Sequence, residues 1–232
     1  MVDFFGKKFS PEEILKRVGR IEQIAGLREI TLKGGKSEGT RAIDLNTGNG
    51  LSLTILLSRG MDIGRTSYRG IPLTWFSSPG EVHPSFYEPE RLGWLRSFSG
   101  GLLVTCGLLH AGAPAEEAGE KIGLHGRISH IPAALVSLTQ RWEKGEFIME
   151  VKGQMRESRV FGENVVMERT IRAKGLLPYL KKGEERTYGI EIGIIEKGEI
   201  CQFEKEVKKI IGLHEISYLK NFPLPFGERV EG

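Results

Sequence analysis

Three clusters in the middle of the chain combine residue types that could meet a small polar ligand. The first is Arg59-Gly60-Met61-Asp62-Ile63, where an arginine and an aspartate leave an apolar run through a glycine. Their side chains can project together from a strand end, or they can close a hairpin as a salt bridge. The second is Glu81-Val82-His83-Pro84 with Tyr87 and Glu88, followed by Trp94-Leu95-Arg96. Aromatic planes stack on the apolar faces of sugar rings, while carboxylates, Arg and His bind the hydroxyls. The third is Gly123-Leu124-His125-Gly126-Arg127-Ile128-Ser129-His130. A histidine held between glycines lets backbone and ligand approach closely, and Arg127 adds a planar fork of donors. Two histidines five apart in a polar, glycine-rich loop favour a binding role over a purely structural one. The expected ligand for the stretch from Arg59 to Pro132 is a sugar.

The remaining chemistries find less support. No His-x-His, His-Glu-x-x-His or cysteine pair has the spacing of a metal site. A metal-dependent sugar isomerase on His83, His110, His125 and His130 is therefore the lesser alternative. No Gly-x-Gly-x-x-Gly or Walker-type loop offers a phosphate cradle. The expected chemistry calls for no cofactor.

The elements that must position these clusters read as strands. Leu27–Leu32, Arg41–Leu45 and Leu51–Leu57 come first, with Asn49-Gly50 as a hairpin turn between the last two. Further strands are expected at Gly101–Cys106, Leu135–Trp142, Phe147–Lys152, Val165–Ile171 and Tyr188–Ile195, with a hairpin at Gly145. Residues 10–19 are the one clear helix: Ser10 caps it, Pro11 suits its first position, Glu13 completes a capping box and Gly19 ends it. Many short strands and a single short helix point to an all-β sandwich or barrel. The segment from Gly70 to Gly100 is rich in Pro, Gly and aromatic residues without a sustained period. Such long loops are uncommon unless functional; the alternative is a surface loop clamped by its own aromatics.

Composition fits this class. At 232 residues with 39% hydrophobic and 27% charged, the chain can bury an ordinary core, and 31 glycines suit a protein of many tight turns. A net charge of +3 with interleaved signs leaves no basic stripe for nucleic acid. Neither a signal-peptide core nor a membrane-spanning run is present, so a cytoplasmic protein without a membrane partner is expected. Cys106 lies in an apolar run and reads as a buried free thiol rather than half of a disulfide with Cys201. Abundant Lys, Glu and Ile with few Gln point to a heat-adapted source.

Several segments together carry a resemblance. Arg59-Gly60-Met61-Asp62-Ile63-Gly64, Gly93-Trp94-Leu95-Arg96, Gly100 to Leu108 and Gly123-Leu124-His125-Gly126-Arg127 resemble an uncharacterised branch of the aldose 1-epimerase (galactose mutarotase-like) superfamily. Phe161-Gly162-Glu163-Asn164, Arg169-Thr170-Ile171 and the stretch from Gly183 to Gly193 continue it, so that most of residues 40–200 are covered. The resemblance implies one large twisted antiparallel β-sandwich over residues 1–232, with a sugar or sugar phosphate as ligand. It matches His125 to a substrate-binding histidine, with Arg127 and Asp62 contacting the sugar, and with Arg59, His83, Trp94 and Arg96 as further contacts. In that family a later His and Glu exchange protons with the ring oxygen and the anomeric hydroxyl. Here the chain looks internally shortened after about residue 174, and neither His214 nor Glu215 maps onto those positions. Acid–base work would then fall to His125 or His130 with Glu81, unless His214 folds back into the site. A sugar-binding protein that has lost the catalytic pair is the alternative. Lost strands would expose sheet edges, so a homo-oligomer is expected, with reshuffled strand pairing within the monomer as the alternative.

Overall fold

The computed structural model describes residues 2–4, 7–117, 119–176 and 191–194. The chain opens with a hairpin of β1 (Val2–Phe4) and β2 (Lys7–Phe9), followed by α1 (Pro11–Leu15). The capping box is formed: Glu13 N–H donates to Ser10 Oγ, and Ser10 N–H donates to the Glu13 carboxylate at 2.7 Å. The helix stops well short of Gly19. Only Ile14 is buried in it, while Leu15 is 47% exposed, and one apolar anchor does not sustain further turns.

Five antiparallel strands follow in sheet order: β3 (Gly26–Thr31), β4 (Arg41–Asn46), β5 (Leu51–Leu56), β6 (Asp62–Tyr68) and β7 (Ile71–Pro72). Two small pairings come next. β8 (Trp75–Phe76) lies against β9 (Gly100–Gly101), and β10 (Ala115–Glu117) against β11 (Glu120–Ile122). A second large antiparallel sheet holds β12 (Ala134–Glu143), β13 (Glu146–Ser158), β14 (Asn164–Gly175) and β15 (Glu191–Ile194), in that order. Between β12 and β13 the turn residues Lys144 and Gly145 both have positive φ, at 50° and 81°. That is the backbone of the primed turns whose twist matches flanking strands.

Alternation then builds the core. Ile43 and Leu45 of β4, Ile55 of β5 and Ile63 of β6 face Met149, Val151 and Met155 of β13 and Ile171 and Ala173 of β14 in one buried cluster. The result is an antiparallel β-sandwich with one short α-helix among the described residues, as the strand pattern led one to expect. Gly153 stands in the inward row of β13 because its neighbour leaves no room. A Cβ there would lie 2.6 Å from Met61 Sδ.

Two expectations need correction. The run Gly101–Cys106 is a strand only at its first residue. Beyond it the chain makes a single bridge, Leu103 to Ile63, and is then held by Thr105 on Asp62. Because the run is not a buried strand, Cys106 is free and exposed rather than buried. The segment from β6 to β9 is likewise no shapeless loop, since β7, β8 and 3-10 turns at Pro84–Phe86 and Gly93–Ser97 organise it. No helix among the described residues is long and apolar enough to cross a membrane. Cys201, His214, Glu215 and the shortened region after residue 176, apart from β15, lie outside the described residues.

Candidate functional site

The loop at Gly123–Arg127 is threaded tightly through its neighbours. Leu124 N–H donates to Arg91 O at 2.8 Å, and His125 N–H donates to Gly112 O at 3.0 Å. His125 adopts φ +58° and Gly126 φ +70°, and a Cβ on Gly126 would lie 2.9 Å from His110 O. A histidine in the left-handed region is uncommon and costs free energy that the surroundings must offset. Its ring orientation is also fixed. Gly112 N–H donates to His125 Nδ1 at 3.2 Å, so the neutral ring carries its proton on Nε2. That Nε2–H has no partner among the described residues, and the side chain is half-buried against the edge of Trp94, with ring centroids 4.8 Å apart. His125 is thus set as a hydrogen-bond donor of fixed tautomer.

Trp94 belongs to a second arrangement, a closed circuit around His130. Trp94 Nε1–H donates to Ser129 Oγ at 2.9 Å, which leaves the Ser129 hydroxyl hydrogen for His130 Nδ1 at 3.0 Å. On the other side, Ser97 Oγ–H donates to Trp94 O at 3.1 Å, so Ser97 Oγ accepts from His130 Nε2–H at 2.7 Å. Every polar hydrogen in this ring of four residues is used once. His130 is 6% exposed and stacks on Tyr87 with centroids 4.1 Å apart. Burial, helped by the nearby Arg59 charge, pushes its pKa down to about 3. This histidine is neutral at ordinary pH and shapes the loop.

Next to Gly126, whose carbonyl accepts from Tyr87 Oη at 2.9 Å, a group of carboxylates surrounds Arg127. The guanidinium lies 2.9 Å from Glu120, 3.9 Å from Glu157 and 4.0 Å from Glu163. Arg159 pairs with Glu120 and, at 3.0 Å, with Glu163. Glu157 is the unusual member: it is 5% exposed, and its Oε2 is buried without a partner among the described residues. Burial raises its pKa against the pull of Arg127, and Glu163 and Glu120 add to the rise. Sequence reasoning missed Glu157, although a signal was there. Val151, Gly153, Met155 and Glu157 are one inward-facing row of β13, and a charge in such a row is out of place unless it has work to do. Arg169, missed in the same way, stands in the inward row of β14 with Met167, Ile171 and Ala173.

Arg59 and Asp62 do come together, but in the interior. Arg59 is 0% and Asp62 1% exposed, and Arg169 joins them at 2%. Asp62 Oδ1 accepts from Thr105 N–H at 2.8 Å and from Thr105 Oγ1, with Arg169 Nη1 3.7 Å away. Arg59 Nη1 donates to Val82 O at 2.7 Å, and Arg169 Nη1 to Gly60 O at 2.6 Å. Burial raises the Asp62 pKa to about 6 in spite of the Thr105 bonds and both arginines. Glu81 is half-buried, and burial raises its pKa too; its charged neighbours are Arg65, Arg59 and Asp44. The remaining candidates have local tasks. His83 caps the Pro84–Phe86 turn, its Nδ1 accepting from Ser85 N–H at 3.2 Å. Arg96 is exposed and pairs with Glu88 at 3.2 Å. No three His, Cys, Asp or Glu side chains among the described residues gather as a metal-ligand set. His83, His110, His125 and His130 therefore do not form one.

Taken together, the loop presents one N–H donor of fixed orientation at His125 and a guanidinium at Arg127, the latter held among Glu120, Glu157 and Glu163, on a scaffold held by Trp94, Tyr87 and His130. Donors and acceptors of this kind, without a dominant charge, suit a hydroxyl-rich ligand. Residues 37–175 match the family model described as "Domain of unknown function (DUF4432)". No curated protein matches the sequence. Among solved structures, the chain is similar to a Klebsiella pneumoniae protein that carries the provisional name aldose 1-epimerase. Identity is 26% and the TM-score 0.60, over 66% of this chain and 42% of that one. A galactose 1-epimerase from Lactobacillus acidophilus matches at 13% identity and a TM-score of 0.37, over 65% of this chain and 45% of that one, too distant to carry an argument. The chain thus spans less than half the length of either protein at these matches. The first match places the sandwich among aldose epimerase folds.

Proposed function

We propose, from the premise that this chain belongs to the DUF4432 family, that it binds a sugar at the His125–Arg127 loop. The observation that carries this reading is the fixed tautomer of His125. With Gly112 N–H on Nδ1, the ring offers Nε2–H to a ligand oxygen and cannot turn to become an acceptor. Arg127 would meet neighbouring hydroxyls through its fork, with Glu120, Glu157 and Glu163 holding the guanidinium in place. Trp94 and His130 hold the loop, while Arg59 and Asp62 support it from the interior.

Epimerase or mutarotase activity is the finer reading, and its likeness to an aldose epimerase fold supports it. It needs one group to protonate the ring oxygen and another to take the anomeric proton. His125 is held by Gly112 N–H on its Nδ1, and His130 is closed into its serine circuit. Glu157 is the carboxyl nearest Arg127 that carries a raised pKa, but it is buried, so the acid and base would have to come at least in part from outside the described residues. Binding without turnover is therefore the simpler function of the described part, and a homo-oligomer in the cytoplasm is its proposed setting.

His125→Ala tests the assignment by titration calorimetry against a panel of aldoses and sugar phosphates. The affinity of whichever sugar binds the wild type should fall at least about tenfold. The variant removes the donor and leaves a ligand oxygen unpaired in the site, worth about 1–3 kcal/mol. The same affinity in both proteins would reject the site.

A further inference from the structure

The face of the five-stranded sheet opposite the core carries a cavity. Asp44, Asn46, Ser52 and Thr54, which alternate along β4 and β5 with core-facing residues such as Ile43 and Ile55, line a cavity of about 560 Å3 together with Arg65 and Phe76. Ligand cavities commonly enclose about 300–1,000 Å3. The cavity shares no lining residue with the Gly123–His130 loop.

Its polar groups fall into two sets. Some satisfy one another: Thr54 Oγ1–H donates to Asp44 Oδ1 at 2.8 Å, and the Ser52 and Ser67 hydroxyls bond at 3.0 Å. Asn46 Oδ1 accepts from Gly48 N–H at 2.9 Å. Others are left over among the described residues. Asp44 keeps its second carboxylate oxygen and Asn46 its amide N–H groups. The Arg65 guanidinium lies over the Phe76 ring, 5.1 Å from its centroid, and makes no hydrogen bond to the described residues. The bonds that are made therefore orient the groups that are not. A buried, unpaired Glu81 Oε1 stands over Gly64 at the same sheet, 3.1 Å from where a Cβ would sit.

We propose that this cavity is a second binding site, distinct from the His125 loop, for a neutral polyhydroxylated ring: one sugar or a cyclic polyol. Free donors on Arg65 and Asn46 and a free acceptor on Asp44 match hydroxyls, each of which donates and accepts. Phe76 supplies an apolar face of the kind that ring C–H groups stack on. A phosphate would bring its charge to a single arginine that already faces the Glu81 carboxylate, and an apolar ligand would strand the hydroxyl lining.

Amide chemical-shift mapping on the full chain tests this, with D-glucose, D-galactose and myo-inositol as probes and inorganic phosphate and L-glutamate as counter-probes, each at millimolar concentration. At least one neutral probe should shift Asn46, Ser52, Thr54 and Ser67. Arg65→Ala and, separately, Asn46→Ala should each weaken those shifts about tenfold, while His125→Ala leaves them unchanged. Using two independent variants guards against misfolding of either one. Shifts confined to residues 87–130, shifts from the charged counter-probes only, or no shift at this face with any probe would each overturn the proposal. The first of those results would leave the His125 site standing, and loss of the loop shifts alone would leave the cavity standing.

Discussion

Replacing Trp94 by Ala is expected to cost about 3–5 kcal/mol of stability, the range for deleting a buried Trp. The side chain is 5% exposed, stacks on Phe98 with centroids 4.9 Å apart and donates its indole N–H to Ser129. The loss should reach beyond the cavity it leaves. Without that donor the Ser129 hydroxyl can turn from His130, and His125 loses the ring edge that limits its motion. Sugar binding should weaken along with stability. Trp94→Phe keeps the stacking and removes one hydrogen bond, so it should cost nearer 1 kcal/mol. Urea unfolding of the two variants separates these contributions. A Trp94→Ala cost below 1 kcal/mol would mean that the circuit around His130 does not organise the loop.

Acid should destabilise the protein through His130. Its folded pKa of about 3 lies below the ordinary 6.5, so unfolding takes up a proton between these values. Stability is fully present above pH 6.5 and falls as the pH drops toward 3, by about 5 kcal/mol in total. Asp62 acts in the opposite sense. Its folded pKa of about 6 lies above 3.8, so the folded chain holds a proton that the unfolded chain releases. Its contribution grows as the pH falls from 6 to 3.8, to about 3 kcal/mol. The two nearly cancel in that window, and the net loss should concentrate between pH 6.5 and 6 and again below 3.8. His130→Phe keeps the stacking position on Tyr87 and removes one titration. At pH 7 it should be less stable than the wild type, because Ser97 and Ser129 lose a partner. Between pH 7 and pH 4 it should gain about 3 kcal/mol relative to the wild type. Parallel pH profiles for the two proteins would contradict the buried, neutral His130.

The strands were legible where alternation was strict. Leu27–Leu32, Arg41–Leu45 and Leu51–Leu57 correspond to β3, β4 and β5 within a residue or so. The long strands β13 and β14 were underestimated at their far ends: Phe147–Lys152 stops where Gly153 and Arg156 follow, and Val165–Ile171 where Arg172 and Lys174 follow. Lys152 and Arg156 occupy the outward row of β13, whereas Arg169 faces in. β6 was hidden because its start, Asp62 and Ile63, read as the end of the Arg59–Ile63 site cluster rather than as a strand. The opposite error occurred at Leu102–Cys106, an apolar run whose partners are a single bridge and an aspartate.

The site was legible in part. Glycines around His125 announced a close approach of backbone, and the structure shows it at His110 O. Which nitrogen of His125 faces a ligand depends on Gly112, thirteen residues away in sequence, and no local pattern carries that. His83 looked like a ligand-binding residue because its role as a turn cap requires the same short polar context. Arg59 and Asp62 share a neighbourhood, as their spacing suggested, but the partners that draw them inward, Thr105 and Arg169, come from distant segments.

The central claim is that a sugar binds at the His125 loop, and exchange NMR on aldoses and sugar phosphates, with wild type and His125→Ala side by side, tests it most directly. One spectrum reports both ligand broadening and anomer interconversion. The prediction is broadening of at least one sugar by the wild type, with the amide shifts it induces at residues 87–130 lost in His125→Ala whatever broadening the β4–β5 cavity retains; accelerated interconversion in addition would establish the epimerase reading. No broadening across the panel, or broadening that persists in His125→Ala with the same affinity at residues 87–130, would contradict it.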